Sequence, residues 1–326
     1  MPAPHRLELD VRPATLDDVE IVADLEAARD PEDPRDPEML RFWWTGGSLS
    51  QVHMRLVAVR VGAATVFVGA GHERWEGVPE RYGTIRVVLR SDVWSESEYS
   101  RLVEKGEKWL QSEGTETAVA RVREDFEHEL EALERIGYRE VRRQKFSELD
   151  LVAHRDELLA EAARQRLVMQ AQGVKLLILS DDEDPDRLAK LHEMMGGAEQ
   201  DIPTTVPIPS QTFEEWMHAT FDDPGTREDR FWIAREGGAI VGLSWLLFPP
   251  VRGLPWTAFT ATSRAVRGRG IARALKYESI AQAIELGYQR VRTANDGANA
   301  PILHINKAMG YHVVSPVIEL HRRLEP

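Results

Sequence analysis

Arg267-Gly268-Arg269-Gly270-Ile271-Ala272-Arg273 stands between a strand-like run, Trp256–Thr262, and a helical run, Gly270–Leu286. In the helical run Ile271, Ala274, Tyr277, Ala281 and Ile284 recur at helical spacing, and Gly287 closes it. Glycines let the main chain approach a ligand closely. The first turn of the following helix offers unpaired N–H groups and the positive end of its dipole. Together these features make a phosphate site. The stretch is not a dinucleotide fingerprint, because Arg273 stands three places after Gly270 where a glycine is required. Nor is it a P-loop, since no Gly-Lys-Ser/Thr follows.

Outward from this stretch, Val174–Leu179 reads as a strand and Asp184–Met195 as a helix opened by Asp-rich caps. A Pro-rich segment, Ile202–Pro209, precedes a helix near Thr212–Ala219. Phe231–Ala234 and Ile240–Leu247 read as a hairpin, Arg290–Thr293 as a strand, Ala300–Met309 as a helix and His312–Leu320 as a last strand. The layout is mixed α/β and mostly antiparallel, with a helix after the central strand.

The run Trp256–Ala272, with Thr293-Ala294-Asn295-Asp296-Gly297-Ala298-Asn299 and Ile305-Asn306-Lys307-Ala308-Met309-Gly310-Tyr311, resembles the GNAT superfamily of N-acetyltransferases. Arg267-x-x-Gly270-x-Ala272 matches that family's pyrophosphate pattern, Arg/Gln-x-x-Gly-x-Gly/Ala. The resemblance implies acetyl-CoA as co-substrate, with Gly268, Arg269, Gly270, Ile271, Ala272 and Arg273 wrapping the pyrophosphate. It puts Thr260, Ala261 and Thr262 on the strand that pairs with pantetheine and polarises the acetyl carbonyl. Arg267 and Arg273 either add charge-assisted phosphate contacts or are solvated. Asn295 and Asn299 suit pantetheine or adenine-side contacts, or else cap the helix that begins near Ala300. No metal is implied.

The sequence also departs from the family. Many members carry a tyrosine four residues before the helix-closing glycine, where it protonates the departing CoA thiolate. Here that position is Asn306, which can donate a hydrogen bond to sulfur but cannot surrender a proton. Strand Trp256–Thr262 holds no Asp or Glu to act as base. The candidates are Glu199, Asp201, Asp296 or a chain of waters. Asn306, Thr262 and Asp201 are therefore the expected catalytic set, in a direct ternary mechanism that relies on positioning and a preorganised carbonyl site.

The first half echoes the second. Leu56–Gly69 and Phe231–Ser244 both read as strand, glycine turn, strand. Leu133-Glu134-Arg135-Ile136-Gly137-Tyr138 matches the closing Ile305–Tyr311 pattern 173 residues later. At a shift of 174 Gly268, Arg269 and Gly270 fall on Trp94, Ser95 and Glu96, and Ala272 on Glu98. Asn295 and Asn299 fall on Arg121 and Asp125. Bulky and acidic residues cannot host a pyrophosphate at a helix N-terminus. The expected architecture is α/β (α+β): two tandem GNAT folds, each a mixed, mostly antiparallel sheet flanked by helices. Residues 1–150 form a degenerate domain without a cofactor loop, and residues 151–326 a catalytic domain, with 155–172 as a helical connector. The tandem arrangement is similar to that of mycothiol synthase.

Composition sets the remaining bounds. At 326 residues, 42% hydrophobic and 29% charged, the chain suits two globular domains. The absence of cysteine removes disulfides, thiolate zinc sites and an acyl-cysteine intermediate. A net charge of −13, concentrated in residues 1–150, argues against a polyanion partner and against the tRNA-dependent peptidoglycan-branching class. Met1–Asp10 lacks a signal-peptide core, and the longest apolar run is broken by Pro249-Pro250. The expectation is a cytoplasmic enzyme, monomer or homodimer. It acetylates a primary amine of a small molecule and engages neither nucleic acid nor membrane; the alternative is a non-catalytic acetyl-CoA sensor.

Overall fold

The computed structural model describes residues 9–46, 51–73, 80–202, 204–206, 208 and 210–325. Of the expected Pro-rich segment, Pro203, Pro207 and Pro209 lie outside the described residues, as does 1–8 of the N-terminal stretch. The chain forms two compact units. One comprises residues 1–46, 50–143 and 317–326, and the other 47–49 and 144–316.

In the first unit the elements are β1 (Arg12–Pro13), α1 (Val19–Arg29), α2 (Pro37–Trp44), β2 (Gln51–Arg60), β3 (Ala63–Glu73), β4 (Tyr82–Leu89), α3 (Glu96–Ser112), β5 (Thr117–Arg123) and α4 (Glu127–Arg135). Strand β6 (Arg139–Asp150) begins here. The sheet runs β1-β2-β3-β4-β5 and ends on β13 (Val317–Arg323), which pairs antiparallel with β5 from Val317↔Arg123 to Arg323↔Thr117. Helices α3 and α4 pack over one core and α1 and α2 over another, on the alternate residues of β2 to β4.

In the second unit residues 144–150 of β6 are followed by α5 (Arg155–Ala171), β7 (Lys175–Ile178), α6 (Arg187–Glu199), α7 (Phe213–Phe221), β8 (Phe231–Glu236) and β9 (Ala239–Leu247). Next come β10 (Trp256–Thr262), α8 (Ile271–Glu285), β11 (Arg290–Asp296), α9 (Ala300–Met309) and β12 (His312–Val313). The sheet order is β6-β11-β10-β9-β8-β7, with β12 also paired to β6. α5 and α8 cover one face and α6 and α7 the other. Helix α8 is buried over most of its circumference, since it meets both the sheet and α5.

The units share an order of elements: two helices, a hairpin, a strand, one 3₁₀ turn, a long helix, a strand and a short helix. The 3₁₀ turns, Ser91–Val93 and Arg264–Val266, keep the offset of the sequence repeat. The division differs from a cut at residue 150. Residues 144–150 pair with β11 inside the second unit, and 317–323 pair with β5 inside the first. The single strand expected over His312–Leu320 is two strands. Pro316, which has no N–H to give a ladder, stands in the break. The expected connector helix is α5, packed on α8.

Candidate active site

Strands β10 and β11 are parallel neighbours joined at one register pair, Trp256↔Arg292, supported by Arg292 N–H donating to the Pro255 carbonyl at 2.9 Å. Beyond that pair they part. On its other side β10 stays bonded to β9 as far as Thr262↔Gly242, and β11 stays bonded to β6 as far as Asp296↔Gln144. The inner edges therefore form a wedge whose main-chain groups have no sheet partner, a place where an extended ligand can pair. A bulge between Thr257 and Phe259 re-aims β10 where the wedge opens. Thr257, Thr260 and Thr262 face α8; the Thr260 hydroxyl meets Ser244 Oγ at 2.9 Å, and Ser244 in turn lies 3.3 Å from Ser279 Oγ on α8.

At the wide end of the wedge lies the quoted loop. Gly268 (φ +80°) and Gly270 (φ +86°) are both left-handed, a conformation that costs other residues about 1–2 kcal/mol. A Cβ at Gly268 would meet nothing within 4 Å, and one at Gly270 only Met169 Cε at 3.9 Å, so the space over both is open. Gly270 is the N-cap of α8 and brings no side chain to it, and the first turn holds no acid. The first helical bond is Ala274 N–H to the Gly270 carbonyl. Among the described residues no main-chain acceptor meets the N–H groups of 268–273. Six amides and a helix dipole thus converge on open space, which fits a pyrophosphate.

Three arginines at the loop, Arg264, Arg267 and Arg269, are already engaged. Arg269 makes a fork on Glu236 at 3.0 and 2.9 Å and also reaches Gln172. Arg264 and Arg267 both hold Asp201, Arg264 Nε at 2.9 Å. Those two guanidiniums hold the Asp201 carboxyl far below the usual carboxylate range, leaving it a weak base. Asp201, expected as a catalytic carboxylate, is tied by these pairs to the loop. Glu199, at the end of α6, differs: it is half-buried, and burial raises its pKa above the ordinary glutamate value of 4.5, partly opposed by His192. Asp296 caps the turn before α9, accepting from Ala298 N–H at 2.6 Å.

On the α9 side Asn306 is buried at 3% exposure. Its Nδ2 donates to Asn295 Oδ1 at 2.6 Å, leaving its own Oδ1 without a partner. The expected Asn295 and Asn306 thus come together, whereas the Asn299 side chain makes no capping bond although the residue is the N-cap of α9. Thr260, Ala261 and Thr262 lie on the wedge strand as expected, and Ile271, Ala272 and Arg273 in the first turn of α8. Three features escaped the sequence reading: the Thr260–Ser244–Ser279 chain, the Glu236 partner of Arg269, and Lys276, buried at 0%. The faint signal for Lys276 was a lysine in line with Ala272, Ser279 and Ala283 on one face of α8.

The corresponding place in the first unit is lined by ion pairs. β4 and β5 pair over four positions, Tyr82↔Thr117 to Ile85↔Ala120. Past that point Arg86 pairs with buried Glu26, and Arg29 forks onto buried Glu129 at 2.8 and 2.7 Å. Ser95 Oγ accepts from Glu98 N–H at the start of α3, whose first turn carries Glu96 and Glu98. A self-capped, acidic helix start repels phosphate. Among the described residues no helix is long and apolar enough to cross a membrane, and no group of three or more His, Cys, Asp or Glu side chains could hold a metal ion.

A profile of the acetyltransferase (GNAT) family matches residues 199–311, which span α6's last residue to Tyr311. None of the curated proteins matches the chain by sequence. A GCN5-related N-acetyltransferase from Sphaerobacter thermophilus superposes with a TM-score of 0.68 at 20% identity, covering 100% of this chain and 98% of that one. A tandem GNAT protein from the clavulanic acid biosynthesis pathway gives 0.74 at 14% identity, covering 97% and 99%. The glucosamine N-acetyltransferase region of a fungal multi-domain GH3 β-N-acetylglucosaminidase gives 0.68 at 12%, covering 96% of this chain and 38% of that one. The fold is one that supports acyl transfer generally, and the family uses acetyl-CoA. The segment matched by the acetyltransferase (GNAT) family, residues 199–311, holds the wedge and the loop, and the chain as a whole has the fold seen in a tandem GNAT protein.

Proposed function

We propose that this protein is an acetyl-CoA-dependent N-acetyltransferase that moves one acetyl group to a primary amine of a small molecule, by direct attack within a ternary complex. The observation that carries the reading is the β10–β11 wedge ending on two open left-handed glycines at the start of α8. Loop amides 268–273, with Arg267 and Arg273, bind the pyrophosphate. The free edge of β10 at Thr260, Ala261 and Thr262 pairs with pantetheine and directs a main-chain N–H at the acetyl oxygen. Asn295, Asn299 and Asn306 line the other side of the arm. Bound there, acetyl-CoA supplies an activated acyl group. The protein's own contribution is to hold an amine against it and to manage two protons.

Glu199 takes the base role in place of Asp201. A carboxyl raised by burial sits closer to neutral pH than one clamped by two arginines, and α6 packs on β9 and β10 beside the wedge. The aromatic group of His192, Phe213, Trp216 and Trp245 lies on that same face. No cysteine stands in the chain to take up the acyl group, which supports direct transfer over a thioester on the enzyme.

The test incubates the purified protein with acetyl-CoA and a panel of amino sugars, amino acids and polyamines, and follows thiol release with mass spectrometry of the products. The reading expects an acceptor whose mass rises by one acetyl group. Thiol release with no acetylated acceptor, or acetylation of hydroxyls alone, would contradict it.

A further inference from the structure

Resting on that reading, we propose that Lys276 delivers the proton to the departing thiolate, through an amine kept dry at the narrow end of the wedge. Lys276 lies on the α8 face shared with Ala272, Ser279 and Ala283, at the spacing that puts residues on one side of a helix. Ala272 belongs to the glycine loop, and Ser279 meets Ser244, the partner of Thr260 on β10. That face therefore looks along the wedge from the loop toward its closed end.

The surroundings are unusual for a lysine. Its Nζ is buried and has no hydrogen-bond partner, and it lies 5.0 Å from the centre of the Tyr311 ring. The Tyr311 hydroxyl is buried and directed at Thr257 without a well-formed hydrogen bond. Thr257 follows Trp256, the residue at which β10 and β11 last pair. Asn306 Oδ1, on α9, is a further buried polar atom without a partner. Unpartnered buried polar groups cost about 1–3 kcal/mol each, and here they gather on three elements that frame one cleft. A purely structural lysine would be paired or would reach out to water.

Burial alone pushes the Lys276 amine down to about 7, so near neutrality both its forms are present. The charged groups of the elements around it are otherwise engaged. Glu161 of α5 pairs with Arg164, and Arg166 pairs with Glu278 of α8. Arg235 and Glu236 of β8 pair with Asp182 and Arg269. Arg273, a turn earlier on α8, faces Glu161. β9 and β10 carry no ionisable side chain. Tyr311 is the titratable group in contact, and burial holds it neutral by raising its pKa.

The protons then balance. As the amine nitrogen bonds to the acetyl carbon and the carbon–sulfur bond breaks, the bonding pair leaves with sulfur. Lys276 Nζ gives sulfur its proton, while Glu199 takes the proton shed by the nitrogen. Solvent restores both side chains. The chain thus has a proton donor although Asn306 stands where a tyrosine would serve.

Lysine NMR of the free protein labelled at Cε, with Lys276→Met to assign the signal, reads the amine without any turnover. The expected result is one lysine titrating near pH 7 that vanishes in the variant. All lysines titrating near the ordinary value of 10.5 would overturn the proposal. In parallel, Lys276→Met and Lys276→Gln should hold acetyl-CoA with a Kd within about threefold of wild type by calorimetry. Their kcat should fall about a hundredfold or more, with loss of the pH dependence centred near neutrality. Folded variants with near-normal kcat and an unchanged pH profile, beside an active wild type, would show that Lys276 has no part in proton delivery. A wild type that binds acetyl-CoA but acetylates no amine would sink the functional reading itself, and the proton role with it.

Discussion

Two carboxylates two residues apart have opposite surroundings, and their proposed tasks differ accordingly. Asp201 is clamped by Arg264 and Arg267, and Glu199 is dehydrated beside His192. Glu199→Gln should lower kcat by about 10²–10⁴-fold and remove the acidic limb of the kcat/KM pH profile, a limb that lies above 4.5 because burial raises the group. Asp201→Ala should leave kcat within about threefold and make acetyl-CoA binding more dependent on salt, since it frees Arg264 and Arg267 to act on the anionic cofactor. The opposite pattern in steady-state assays, a collapse for Asp201→Ala and none for Glu199→Gln, would return the base to Asp201. Asn306 is smaller in scale. Its Nδ2 is spent on Asn295, so Asn306→Ala should cost about 0.5–1.5 kcal/mol of transition-state stabilisation, a several-fold loss in kcat. Asn295→Ala should cost about as much, and the double variant little more, because the pair acts as one unit.

Elements show what the sequence could and could not convey. The glycine loop was legible because only glycine accepts φ near +80° to +86° at low cost, so its chemistry is written in its residue types. Gly270→Glu should therefore abolish acetyl-CoA binding in calorimetry while circular dichroism stays as in wild type. The variant strains a left-handed position and sets a carboxylate over the amides that await phosphate. The helical periodicity of Ile271 to Ile284 located α8 to within a residue at each end. The fate of β6 and of the last strand was not legible. Phe146–Asp150 and Val317–Arg323 have ordinary strand character, and nothing in a strand's own residues names its neighbour across the sheet. Lys276 was hidden for a related reason. Helical spacing marks apolar residues, whereas the proposed role of Lys276 rests on its place by the ring of Tyr311, distant in sequence. Its burial has a stability consequence with a definite sign. An amine lowered to about 7 from 10.5 penalises the folded state fully below pH 7, and the penalty fades as pH rises toward 10.5. Lys276→Met should melt higher than wild type at pH 6–7 in thermal scans, with the gap narrowing by pH 10.

At the scale of the whole molecule, one order of elements occurs twice, and the two copies differ at the start of the long helix and beside the strand pair it follows. In the first unit Glu26, Arg86, Arg29 and Glu129 fill with ion pairs the region past the β4–β5 pairing, and Ser95 caps α3 with its own side chain. In the second unit the matching helix start is bare. Residues 317–323 complete the sheet of the first unit on β5, with Glu319 buried against Arg121. Removing 317–326 should expose the β5 edge and strip hydrogen-exchange protection from 117–123, whereas protection there equal to the full chain would show that β13 adds nothing to that sheet. The difference between the two copies is the centre of the account, and it reduces to a count. Titration calorimetry of the full chain with acetyl-CoA should give one site per chain, abolished by Gly270→Glu. Two sites per chain, or one site that survives Gly270→Glu, would contradict it.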